Sequence, residues 1–257
     1  MPADQLALPL SLAAAGGLVG AFAVMRRMAL ASDALSHVAL PGIGLALILK
    51  INPVIGGVAA LLAGTVLVWA LERRTGIATE ALIGVVFSTA LAAGSLLASG
   101  EELVEALFGA SRAPGPAETA VGLAACAVIV VFMLRARDRL VIALVSQDLA
   151  RTAGIDVARL DLLYLTAFAV TVALGLRYLG VLLMGSLVII PATTARYLAR
   201  SLRGVLGWSV ALATASMAGG LAGGAAFHVA PGPLVITSAA VLFLAAVVLM
   251  RRRLKSP

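Results

Sequence analysis

Between Leu6 and Val24 the chain reads LALPLSLAAAGGLVGAFAV without one charged side chain, and stretches of this kind recur as far as Met250. A helix of about 20 mainly apolar residues crosses the hydrocarbon core of a bilayer. Charge-free runs cut by short charged or Pro/Gly breaks place spans near 6–24, 29–49, 54–71, 81–98, 119–134, 162–179, 180–198, 205–227 and 234–250. The expected fold is therefore all-α, a polytopic membrane protein of about nine transmembrane helices. The second and seventh spans are the least regular and are candidates for broken helices, since one carries Asp33, His37 and Pro41 and the other Pro191.

Composition agrees with that reading. The chain is 62% hydrophobic and 12% charged, with mean hydropathy +1.10, whereas soluble domains are about half apolar and a quarter charged. Its 257 residues are spent on helices in a single polytopic membrane domain, 1–257. MPADQLALPL lacks the basic start of a cleaved signal peptide, so Leu6 onward is expected to stay as a helix. Cys126, the one cysteine, lies in an apolar run and cannot form a disulfide within the chain.

The net charge of +7 does not point to nucleic acid, because the basic residues mark one face of a membrane. With nine alternating spans, Arg26, Arg27, Arg73, Arg74, Arg135, Arg137, Arg139, Arg151, Arg159, Arg196, Arg200, Arg203, Arg251, Arg252, Arg253 and Lys255 fall on the same side. These are 16 of the 19 Lys and Arg, leaving Lys50, Arg112 and Arg177. The positive-inside rule makes the rich side cytoplasmic, with the N-terminus outside and the C-terminus inside. The loop holding Glu101, Glu102, Glu105 and Glu118 then faces outward, as a solvated loop or a docking surface.

The longest inner connection, RARDRLVIALVSQDLARTAGIDVARLD, contains a short helix from Ser146 to Gly154. Ser146 can cap it, Asp148 complements the dipole in its first turn, and Gly154 suits its end. Leu149 and Ala153 share a face, while Gln147, Asp148 and Arg151 offer polar groups. Such a helix is either a handle for a partner or one lying on the lipid surface.

SDALSHVALPGIGLA, Ser32 to Ala46, holds the sharpest chemical feature. Asp33 and His37 stack on one helix face, and a carboxylate with an imidazole suits Zn²⁺, Mn²⁺ or Fe²⁺. Two ligands do not complete a shell, so water, another segment or a second subunit must supply the rest. Pro41 removes the backbone bond to the His37 carbonyl and Gly42 loosens the next turn, so a kink or break is expected beside the pair. Transport proteins build ion sites at such breaks, and an ionisable residue within a span is functional or paired. The plainer alternative has Asp33 capping the helix and His37 bonded to a carbonyl.

His228, in FHVAPGP, is either a further metal ligand at the outer end of the eighth span or a solvated interfacial histidine. Glu80 and Asp161 are read as first-turn acids complementing helix dipoles. The glycines around Gly16 to Gly20 and Gly219 to Gly224 allow close helix approach. Motifs for a zinc protease, a serine hydrolase or a phosphate-binding loop are absent, so if transport is driven by ATP, another chain must bind the nucleotide.

RRMALASDALSHVALPGIGLA (Arg26 to Ala46) resembles the most recognisable motif of the permease subunits of bacterial ABC importers for zinc, manganese and iron. EALIGVVFSTALAAGSLL, the LFG at Leu107 to Gly109, LVSQDLARTAGI, YLGVLLMGSLVIIPATTAR and PGPLVI are similar to further blocks of that family in the same order. The arginine tail and SRAPGPAET depart from it. The resemblance implies a fold similar to type II importer permeases, a homodimer in the bacterial cytoplasmic membrane, cytoplasmic ATP-binding subunits and an extracytoplasmic metal-binding protein. It also implies that Asp33 and His37 line the metal pathway. The loop at about 144–158 would hold the coupling helix that meets the ATPase through Gln147, Asp148, Ala150, Arg151 and Gly154. No permanent cofactor is implied, the divalent metal being cargo, and no enzymatic activity resides in this chain. A proton-coupled carrier working without an ATPase and an intramembrane metal enzyme are the competing readings.

Overall fold

A computed structural model describes residues 3–28, 34, 37–97, 115–179 and 181–255. Among them the regular structure is entirely helical: α1 (Ala3–Met25), α2 (Ala39–Ile48), α3 (Pro53–Thr75), α4 (Thr79–Leu97), α5 (Pro116–Val145), α6 (Gln147–Thr152), α7 (Val157–Leu179), α8 (Val181–Leu198), α9 (Leu202–Phe227) and α10 (Pro231–Lys255). Seven of these described helices, namely α1, α3, α4, α5, α7, α9 and α10, are long and apolar enough to cross a membrane.

α1 forms the axis of the bundle and packs on α5, α7, α8 and α9. Leu12, Ala13, Ala15, Val19, Phe22 and Ala23 are all fully enclosed, so the helix has no polar stripe and is covered on every side. Small residues let its neighbours come close. A Cβ at Gly20 would run into the Val188 carbonyl of α8, and one at Gly17 would meet the Ser209 carbonyl of α9. The enclosed Thr171, Thr194 and Ser216 hydroxyls donate to carbonyls one turn back, at 2.7, 2.7 and 2.8 Å.

α2 packs on α3 and α4. Gly42 and Gly56 face each other so closely that a Cβ on either would strike the carbonyl of the other. The Trp69 indole of α3 donates to the Ala158 carbonyl at the start of α7, 2.9 Å, tying this group to the bundle.

The second span was expected as a candidate for a broken helix, and two other elements, α8 and α5, differ from their expected form. The described helix within the second expected span is the 10-residue α2, about 15 Å long and half the hydrocarbon core; residues 29–33, 35 and 36 lie outside the described residues. α8 runs unbroken through Pro191. Tight packing around that buried residue supports the turn despite the missing backbone bond, as is common in membrane helices. α5 does not end at residue 134 but continues through RARDRLVIALV for 30 residues. Charge at Arg135 marks where lipid stops, not where the helix stops; no Gly or Pro follows until Gly154.

Candidate functional site

His37 precedes α2, and Pro41 is the third residue of that helix. The first four backbone N–H groups of a helix have no partner within it, so proline there starts the helix and costs no ladder bond. Gly42 serves the approach to Gly56. The His37 side chain is half-buried, its ring centroid 5.5 Å from that of Phe87 on α4 at 54°. Its Nδ1 is enclosed and, among the described residues, has no hydrogen-bond partner. An enclosed polar atom without a partner costs about 1–3 kcal/mol, and an imidazole nitrogen so placed is a ready donor of its lone pair to a cation.

Asp33 lies outside the described residues. Among those described, no three His, Cys, Asp or Glu side chains gather at one point, so His37 stands without a set of further ligands. His228 is at the far end of α9 from Ser201, exposed, and caps the helix with a left-handed backbone at φ 55°. Nothing described joins it to His37.

At the arginine-bearing end of the bundle, the Ser146 hydroxyl accepts from the Leu149 N–H at 3.2 Å and starts α6. Ala150 is fully enclosed, and with it α6 rests on α5 and α7. Gln147, Asp148, Leu149 and Arg151 are exposed. Leu149, 55% exposed, is an apolar side chain on a polar rim, and Ala153 beside it is exposed as well. The helix closes at Gly154, φ 75°, with the Ile155 N–H donating back to Ala150 at 2.9 Å. That left-handed turn is easy only for glycine. An open cleft of about 620 Å³ runs beside α6, bounded by Trp69, Glu72 and Arg73 of α3.

The sequence reading missed what fastens this end to the segment before His37. Arg26, just past α1, binds Asp161 of α7 at 2.8 Å and stacks 4.6 Å above the Tyr164 ring. The Tyr164 hydroxyl in turn donates to the Val19 carbonyl, 3.1 Å. Arg196 of α8 donates to the Val24 carbonyl, 3.2 Å. Asp161 is thus not a first-turn acid: it is the fifth residue of α7, beyond the dipole's reach, and its partner is Arg26. Glu80 does stand in the first turn of α4. Only the coexistence of Arg26 and Asp161 at the same end of two spans hinted at this pair.

Comparison with known proteins places this geometry in context. The profile of the family described as ABC 3 transport family matches residues 4–250. The high-affinity zinc uptake system membrane protein ZnuB of Haemophilus influenzae is 32% identical over 231 residues, covering 88% of each chain. The manganese import system permease protein ScaB of Streptococcus gordonii is 30% identical over 236 residues, 89% of this chain and 84% of that one. Among solved structures, PsaBC from Streptococcus pneumoniae in complex with Fab superposes with a TM-score of 0.80 at 27% identity, covering 95% of this chain and 89% of that one.

Proposed function

Because the chain belongs to the ABC 3 transport family, we propose that it is the membrane-spanning permease of an ATP-driven importer for a divalent transition-metal ion, zinc or manganese. It is a transport subunit and not an enzyme. ATP is hydrolysed in a separate cytoplasmic subunit, and the ion arrives from an extracytoplasmic binding protein. The observation that carries the site assignment is the unpartnered Nδ1 of His37. In an apolar helix group, that atom is a cost with no structural return, and a passing metal ion relieves it.

Asp33, four residues earlier, supplies the carboxylate that favours a divalent cation. Few ligands suit the task, since a complete tetrahedral shell would hold the ion and not release it. A second copy of the chain, meeting this one along the half-open faces of α3 and α4, would add its own Asp33 and His37 to the path. The arginine-bearing end faces the cytoplasm, in the bacterial inner membrane, and α6 offers Leu149 and its polar neighbours to the ATPase. Motion of α6 passes through Ile155 and Asp156 into α7. The Asp161–Arg26 pair then carries it to the end of α1, directly before the Asp33–His37 segment.

Uptake of labelled zinc and manganese by vesicles containing the whole importer tests this. His37→Ala and Asp33→Ala each reduce uptake to background while the complex still assembles and hydrolyses ATP. Normal uptake by both variants sinks the site. Uptake by the permease alone under a proton gradient would favour a secondary carrier instead; that reading has no support from the family.

A further inference from the structure

Away from the path around His37, a groove of about 670 Å³ runs between α5 and α7. Its walls are Val128, Val131 and Phe132 of α5 and Leu163 of α7, and Arg135 and Arg139 stand at one end. Val128, Val131 and Leu163 are 68, 47 and 53% exposed, so nothing among the described residues fills it. Both arginines are exposed. The ion pairs of this region join Arg137 to Asp138 and Arg159 to Asp156, and among the described residues neither Arg135 nor Arg139 has an acidic partner.

We infer that this groove binds an anionic phospholipid of the cytoplasmic leaflet, its phosphate held between Arg135 and Arg139 and one acyl chain lying along Val128, Val131, Phe132 and Leu163. The spacing supports that occupant. Residues 128, 131, 132, 135 and 139 follow helical periodicity, so the apolar wall and both guanidinium groups share a face of α5. From Ala127 to Arg135 the helix rises about 12 Å, close to the ~15 Å of one leaflet's hydrocarbon. The charge begins where the uncharged run 119–134 ends, at headgroup depth. Basic pockets between membrane helices on the cytoplasmic side bind acidic headgroups, and guanidinium pairs well with phosphate. An acidic protein segment would match the arginines but leave the apolar wall exposed. The leaflet rests on the orientation proposed above; the lipid chemistry does not.

The test is the lipid carried by the purified importer, extracted and quantified by mass spectrometry after exchange in mixed micelles of phosphatidylglycerol and phosphatidylcholine. The wild-type complex retains phosphatidylglycerol selectively. In R135Q/R139Q retention falls by about thirtyfold, roughly fivefold for each arginine, with an unchanged elution profile and ATPase rate. R200Q/R203Q, which removes equal charge elsewhere, retains the lipid, whereas Val128→Trp, with both arginines intact, loses it. Equal retention by R135Q/R139Q, or equal retention of phosphatidylcholine by the wild type, overturns the proposal. So does efficient crosslinking in the membrane from Val131→Cys to a second copy or to the ATPase, because the groove would then be covered by protein. Failure of metal uptake leaves each of these readouts standing, so this inference and the transport assignment fail separately.

Discussion

The surroundings of α1 and those of α2 to α4 are built from equally apolar helices, yet they are used differently. Of the spanning stretch of α1, 78% is buried inside the chain, against 28% for α3 and 22% for α4. Around α1, hydroxyls such as Thr171 and Ser216 are satisfied within their own helices and glycine lets backbones touch, although the Ser209 hydroxyl and the Arg26 Nε find no partner among the described residues. Around α2 the helix is short, much of the surface is open, and the His37 Nδ1 has no partner. The first region gives the chain its shape. The second carries an enclosed imidazole nitrogen with no partner among the described residues, and it leaves wide apolar faces open.

Substitutions that separate stability from transport sharpen this contrast. The largest loss of stability is expected from Gly20→Leu, because the new side chain would enter the Val188 backbone. Overpacking of this kind costs about 3 kcal/mol or more, and fluorescence-detected size exclusion should show little folded protein. A well-folded Gly20→Leu would mean that α1 and α8 are less tightly held than the close approach of Gly20 to the Val188 carbonyl implies. Next comes Asp161→Asn, which leaves the mostly buried Arg26 short of its charge partner. Partial exposure limits the cost to about 1–2 kcal/mol, a lowered unfolding temperature. Metal moved per ATP hydrolysed should fall further than stability does, and an unchanged ratio would remove the pair from the coupling route.

Smaller still is Ser146→Ala, which deletes the cap of α6 at about 1 kcal/mol. ATPase stimulation by the loaded binding protein is expected to weaken while the bundle stays folded. Smallest in stability is His37→Leu. Replacing an unpartnered imidazole with an apolar group is neutral or gains about 1 kcal/mol, yet uptake is lost. If His37→Leu destabilised the chain by several kcal/mol, the histidine would be a structural residue and the contrast between the two regions would collapse.

Much of this was legible in the residues. The charge-free runs located the seven long apolar helices found among the described residues, because lipid demands a minimum apolar length whatever the tertiary arrangement. Ser146 and Gly154 marked α6, since capping and left-handed termination are local chemistry. Other features depended on neighbours. The extension of α5 past Arg135 was hidden because charge reports the membrane edge and says nothing about where the backbone stops turning. Where the helix holding Pro41 begins, at Ala39 just after His37, was not legible either, because packing against α3 and α4 decides it.

The sequence by itself determined that the chain is a membrane helix bundle with a short capped helix and a carboxylate–imidazole pair beside a proline. Hydropathy, charge and capping are properties of short stretches and survive without knowledge of the fold. Only the tertiary structure decided that α1 is the enclosed axis and that Arg26 belongs with Asp161. It alone left the His37 Nδ1 without a partner among the described residues and placed Arg135 and Arg139 at the end of an open groove. Each of these is a meeting, or a missed meeting, of side chains on different helices, and helix crossing sets it, not sequence spacing.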